Sequence, residues 1–374
     1  MTPFAAHRRD LGALAERDRY RSLHARAGID FASNDYLGLA GSPRLRDAVG
    51  EAIGRGVAIG SGGSRLLRGN DPEHEALETE AASFFGAESA LYFSSGFAAN
   101  ATLLATLPQR GDLIVHDTLI HASAHDGMAL ARAPVAVARH NDAQSFADAI
   151  AGWRVAGGVG TPWIVVESLY SMDGDRAPLD ALTAIADRYD AVLIVDEAHA
   201  TGVFGPDGRG LLGDRPRGDR VVSLHTCGKA LGCEGALVCG PRVVTDFLVN
   251  RGRGFIFSTA PSPLMAAAVR EALHILSDEP ERRTALAERI ATAERLLSPL
   301  GATATESQIL PLVLGEDAQA MRVAAALQAA GLDVRGIRPP TVPAGTARLR
   351  ISLTLNIDTA DIERLADTLE EVLR

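Results

Sequence analysis

Lysine occurs once in this chain of 374 residues, at Lys229; every other member of its 37 basic side chains is arginine. A guanidinium stays protonated, whereas an amine on a flexible stem can lose its proton and condense with an aldehyde. The competing explanation is a surface lysine retained by chance. The surroundings favour a reactive amine: an apolar run at 221–224 precedes Lys229, and Gly228 and Gly232 leave room around it. The obvious aldehyde is pyridoxal phosphate (PLP), which makes Lys229 a candidate Schiff-base lysine.

Three further segments carry chemistry that such a cofactor needs. Ser94-Ser95-Gly96-Phe97 falls where an apolar run turns into a helical pattern. Backbone amides, hydroxyls and the positive end of a helix dipole converge at such a turn, as a phosphate cradle requires. Alone it would read as an ordinary strand-to-helix turn with N-caps. Val195-Asp196-Glu197-Ala198-His199 follows the apolar run 192–195. An unpaired carboxylate at a buried strand end is costly. Asp196 paired with the pyridine nitrogen would keep that nitrogen protonated and the ring an electron sink. His199 is a candidate cofactor contact or else a buried structural histidine. A metal reading of Asp196, Glu197 and His199 lacks any further ligand motif. His121 opens a helical stretch from which it could cover an aromatic ring, or simply start the helix.

The elements that must position these residues read as alternating short apolar strands and helices. Strands are expected at 90–93, 113–116, 135–138, 163–167, 192–195 and 221–224, with helices 96–105, 121–131, 143–154 and 179–189 between most of them. Near-continuous apolar strands alternating with helices predict a parallel sheet covered on both faces, with ligands at its carboxyl edge. The stretch 235–239 could add a strand of either direction. Upstream, 1–30 is helical in pattern, 31–38 reads as a strand ending in a turn, and 43–55 and 73–85 read as helices. The glycine-dense loop 56–69 follows no strand and lacks G-x-G-x-x-G spacing, which excludes a dinucleotide fingerprint. After residue 262 come helices 263–277 and 281–300, strand 309–314, helix 318–330, strands 334–337 and 348–353, and a closing helix 361–373. The expected organisation is an N-terminal arm (1–38), a large α/β domain (39–262) and a smaller α+β domain (263–374).

Composition narrows the classes of function. The chain is 47% apolar and 22% charged with a net charge of −10 and no basic block, which disfavours nucleic-acid and anionic-membrane partners. No apolar run reaches membrane-spanning length, and the N-terminus lacks the apolar core of a signal peptide, so a cytoplasmic location is expected. Cys227, Cys233 and Cys239 are odd in number and lack C-x-x-C spacing, which supports neither a disulfide framework nor a zinc site.

The segments SSGFAAN (94–100), HAS (121–123), SMDGD (171–175), VDEAHATG (195–202), TCGKALG (226–232) and IRPPTVPAGTARLR (337–350) resemble, in the same order, those of the α-oxoamine synthases, fold-type I PLP enzymes. The resemblance runs from about Asn34 to the C-terminus and departs at Glu197-Ala198-His199-Ala200, where the family often has Asp-Ala-His-Gly. It implies that Lys229 bonds the cofactor, that Asp196 partners the pyridine nitrogen, and that His121 stacks on the ring. It implies His199 and Ser171 near the PLP hydroxyl, and Ser95, Gly96, Phe97 and Thr226 near the phosphate. Ser258 and Thr259 would reach the phosphate of a neighbouring subunit, which implies a homodimer with shared sites. Arg350 would hold an amino-acid carboxylate beside Asn34, with Arg21 and Thr341 toward the acyl-thioester end. The final segment implies L-alanine and a pimeloyl thioester as substrates, joined with loss of CO2. The rival readings are glycine or serine with another acyl thioester, or a non-catalytic partner subunit of the same fold.

Overall fold

A computed structural model describes residues 3–213, 215 and 218–374; the first two residues of the expected N-terminal arm lie outside the described residues. The chain forms two compact units. One comprises Leu37–Tyr170 and Arg176–Arg283; the other comprises the N-terminal stretch through Tyr36, together with Ser171–Asp175 and Thr284–Arg374.

The chain begins with α1 (Ala5–Glu16) and a two-residue strand β1 (Ile29–Asp30). The larger unit then runs α2 (Pro43–Gly54), α3 (Pro72–Phe85), β2 (Ser89–Phe93), α4 (Gly96–Thr106), β3 (Leu113–Asp117), α5 (Ala122–Leu130), β4 (Val135–Ala138) and α6 (Ala143–Val155). It continues with β5 (Pro162–Glu167), α7 (Leu179–Tyr189), β6 (Val192–Asp196), β7 (Val221–Thr226), β8 (Ala236–Gly240), α8 (Arg242–Arg251), α9 (Arg253–Ile256) and α10 (Pro263–Asp278).

Seven of these strands make one sheet in the order β2-β8-β7-β6-β5-β3-β4. Pairing is parallel from β7 through β6, β5 and β3 to β4, while β8 is antiparallel to both its neighbours. Every strand except β8 therefore points the same way. The ends of β2, β3, β6 and β7, from which the candidate residues emerge, share the carboxyl edge where ligands bind in such sheets. Strands β2, β3, β5, β7 and β8 are buried along their whole length, which explains their near-continuous apolar sequences. On one face Leu103, Leu104, Met128 and Phe255 pack on Ile114, Ile194 and Leu224. On the other Phe146, Ile150, Leu182 and Ala186 pack on Val115, Ile164 and Leu193.

The smaller unit holds α11 (Glu281–Leu297, from Thr284 on), β9 (Ile309–Gly315), α12 (Asp317–Ala329), β10 (Leu332–Asp333), β11 (Arg335–Ile337), β12 (Ala347–Ser352) and α13 (Thr359–Leu373). Its antiparallel sheet has the order β11-β12-β9, and β1 pairs in parallel with β10.

The α/β class and the mostly parallel sheet match expectation, and three local readings change. No strand forms over 31–38; the short strand in this stretch, Ile29–Asp30, ends just before it. The Asp30 carboxylate accepts from the amides of Ala32 and Ser33 and from the Ser33 hydroxyl, and such an Asx turn ends a strand. The helical pattern of 1–30 forms a helix only over Ala5–Glu16, none of whose residues is buried, so no packing extends it. The helices α8 and α9 occupy a stretch that the sequence left unassigned.

Gly232 has φ +64°, and a Cβ there would lie 2.4 Å from the Ala40 amide nitrogen and 2.5 Å from the Leu39 carbonyl carbon. Both the left-handed backbone and the contact exclude a side chain. Gly232→Ala is expected to destabilise the protein by about 2 kcal/mol or more, read as a lower denaturant midpoint of the cofactor-free protein. An unchanged midpoint would mean that this turn yields freely.

Candidate active site

In the larger unit Asp196 is the last residue of β6 and 7% exposed. Its Oδ1 accepts from the Ala198 amide at 2.9 Å and its Oδ2 from Asn100 Nδ2 at 2.6 Å. Two donors on an acceptor-only group make burial of the charged form tolerable. His199, buried, follows within the turn that leaves β6, and its Nε2 lies 2.6 Å from Lys229 Nζ. Lys229 itself sits three residues beyond β7, half-buried. The segment around it is closed by hydrogen bonds from Cys227 N to Gly235 O and from Cys233 N to Cys227 O.

His121 is the N-cap of α5, and its Nδ1 lies 3.2 Å from the Ser123 amide and 2.8 Å from Ser123 Oγ. His121 is exposed as a residue. Desolvation of the inward edge pushes the imidazole below its ordinary value; the Asp196 carboxylate opposes that shift, and the Lys229 charge adds to it. Lys229, His199, Asp196 and His121 thus belong to one cluster at the sheet edge.

The phosphate-type features lie nearby in sequence and fold. Ser95 caps α4 by accepting from the Ala98 amide at 3.1 Å. The first-turn amides of α4, including those of Gly96 and Phe97, have no intrahelical acceptors. Gly96 lies close to the Thr226 hydroxyl: a Cβ there would stand 3.4 Å from Thr226 Oγ1. Ser258 and Thr259 line a cleft together with Ser94, Phe93 and Arg65 of the same chain.

In the smaller unit Arg350, on β12, is 6% exposed. Its guanidinium donates to Ser171 O and Ser352 Oγ, each at 2.6 Å, to Asn34 Oδ1 at 3.0 Å and to Tyr36 Oη at 3.3 Å. All four are neutral oxygens. Two residues away, Arg348 is instead paired with the carboxylate of Asp173. Arg21 and Thr341 meet in this unit, with Arg21 Nη2 3.4 Å from Thr341 Oγ1.

Two residues acquire meanings that the sequence reading did not give them. Asn100 was only part of a motif string, yet it bridges Asp196 and, at 3.2 Å, Ser123 Oγ; its place one turn into α4 was the available signal. Glu197 was grouped with a metal reading. Its buried carboxylate instead accepts from the amides of Leu211 and Leu212 and from the Ser168 hydroxyl, so it anchors the loop after β6.

The chain matches the family model for aminotransferase class I and II over residues 26–369. It is 45% identical to an 8-amino-7-oxononanoate synthase of Anaeromyxobacter dehalogenans over 93% of this chain and 87% of that one. The chain belongs to the class I and II aminotransferase family. Among solved structures it is similar to a serine palmitoyltransferase variant of S. paucimobilis bound to PLP and myriocin (26% identity, TM-score 0.88, 99% of this chain and 97% of that one). It is also similar to 8-amino-7-oxononanoate synthase of Francisella tularensis (28% identity, TM-score 0.78, 92% and 98% covered). The protein is therefore a fold-type I, PLP-dependent enzyme of C-acyl transfer, in the line of the 8-amino-7-oxononanoate synthases. The residues present fit that cofactor: an amine for its aldehyde, a buried carboxylate for its pyridinium, hydroxyls and a helix N-terminus for its phosphate.

His121 is expected to titrate below the ordinary imidazole value of 6.5 and so to be neutral at pH 7, read by NMR of the cofactor-free protein. Lys229→Ala removes a repelling charge and should raise the midpoint. Asp196→Asn removes an attracting one and should lower it.

Proposed function

We propose that the protein joins L-alanine to a pimeloyl thioester with loss of CO2, giving 8-amino-7-oxononanoate in biotin biosynthesis. The observation that carries the amino-acid half is Arg350. A buried guanidinium held only by neutral oxygens keeps its full charge for an incoming carboxylate. The acyl half rests on the name shared by the relatives, with Arg21 and Thr341 as the residues toward the thioester.

PLP, held by Lys229 at rest, would supply a protonated pyridine able to take up the electron pair left when the Cα–H or C–CO2 bond of the substrate breaks. In this reading Asp196 keeps the pyridine nitrogen protonated, and Ser95, Gly96, Phe97 and Thr226 hold the phosphate. Arg350 fixes the alanine carboxylate, with Asn34 and Ser171 orienting the guanidinium. Lys229 Nζ, as a neutral amine, would remove the proton from the alanine Cα and later return one to the product carbon. Holding base and carbon together supplies much of the acceleration. His199, hydrogen-bonded to Nζ, aims the amine, and His121 covers the ring. The alanine Cα, with the electron pair left by its proton, bonds the acyl carbonyl carbon as the C–S bond breaks and the thiol leaves. Loss of CO2 from the resulting β-keto acid and return of a proton to that carbon complete the balance.

We read the active form as a homodimer in the cytoplasm. The homodimer rests on the resemblance, in which Ser258 and Thr259 reach a neighbouring subunit; Phe257 beside them is 72% exposed. Ser258 and Thr259 would serve the partner's phosphate. No helix among the described residues is long and apolar enough to cross a membrane.

Lys229→Ala should abolish turnover. Arg350→Ala should raise the KM for alanine about 100-fold, as expected for losing a charge-assisted pair, and leave PLP affinity within about twofold. A panel of L-alanine, glycine and L-serine with pimeloyl-CoA and other acyl-CoAs tests the substrates, read by CoA release. Preference for glycine or serine would keep the chemistry and overturn the alanine assignment.

A further inference from the structure

Asn100 lies in α4 and is 4% exposed. Its amide nitrogen is 2.6 Å from Asp196 Oδ2 and 3.2 Å from Ser123 Oγ, and Ser123 Oγ is 2.8 Å from His121 Nδ1. The chemistry of the groups fixes the sense of each bond. An ionised carboxylate only accepts, so the nitrogen of Asn100, not its oxygen, faces Asp196. The second hydrogen of that NH2 goes to Ser123 Oγ. The hydroxyl, having accepted there, sends its own proton to His121 Nδ1, toward which the Ser123 amide also donates. Nδ1 is therefore the acceptor, and the neutral imidazole carries its proton on Nε2. The charged and titratable groups facing this ring are Asp196 from β6, Lys229 from beyond β7 and His125 on α5.

We propose that Asn100 is a positioning residue for the cofactor site, tying Asp196 through Ser123 to His121 so that the carboxylate on one element sets the proton position of the imidazole on another. Three elements, α4, β6 and α5, are locked by one amide. Removing it leaves Asp196 with one donor fewer and the Ser123 hydroxyl without a fixed direction. Since both ends of the relay face the cofactor in the reading above, PLP affinity should report the loss. The inference needs the cofactor and not the substrates, so a wrong acyl or amino-acid assignment would leave its outcome untouched.

The test is PLP titration of the cofactor-free protein with Asn100→Leu, a near-isosteric change, in wild-type and Asp196→Asn backgrounds. Asn100→Leu should weaken PLP by about 10- to 100-fold, the range for a hydrogen bond to a buried charge. In the Asp196→Asn background its effect should shrink to within about threefold. Unchanged affinity, or the same loss in both backgrounds, would overturn the proposal. Ser123 gives an arm that does not depend on the α4 position. Ser123→Ala removes a donor to the neutral imidazole and should raise the His121 titration midpoint by NMR, and Ser123→Thr should restore it. A midpoint indifferent to the hydroxyl would also overturn the relay.

Discussion

A carboxylate at the end of a buried strand has to be solvated by the protein, and much of the larger unit follows from how Asp196 meets that demand. One oxygen takes an amide from the turn that leads on to His199; the other takes the side chain of Asn100. The charge thereby fixes where the turn after β6 and the first coils of α4 lie. Through Ser123 it also reaches the start of α5. The carboxylate is a structural centre as well as the expected partner of the cofactor nitrogen, because the same desolvation makes its field strong.

The smaller unit solves the opposite problem with a cation. Arg348 and Arg350 stand two positions apart on β12 and have the same charge. One is neutralised by Asp173, whereas the other donates to neutral oxygens and keeps its charge. The difference separates a structural ion pair from a guanidinium that hydrogen-bonds neutral oxygens, as the proposed carboxylate binding requires. Arginine suits the proposed role, because a rigid fork held on several sides keeps a defined orientation for bidentate pairing.

How much of this the residues disclosed depends on how local each signal was. Lys229 stood out because no other lysine competes with it, and Asp196 because an acid closes an apolar run. The alternation of strands and helices revealed the sheet class. The direction of β8 was not legible, since a short apolar strand reads the same both ways and only its pairing with β2 and β7 orients it. Asn100 escaped notice because its role exists only once α4, β6 and α5 are brought together. The extended reading of 31–38 failed because Asp30 turns the backbone onto its own amides.

The reversed strand β8 has a dynamic consequence. With β7 and β8 paired antiparallel, the segment bearing Lys229 is the tip of a hairpin whose two legs lie inside the sheet, and Cys227 and Gly235 cinch its neck. A hairpin tied at the neck opens only with the sheet beneath it, as a single cooperative unit rather than as a loose loop. The backbone at Lys229 is thus protected from local opening, and the side chain carries its amine from that fixed base to His199 Nε2 at 2.6 Å. The single lysine of the chain is presented from an immobile base.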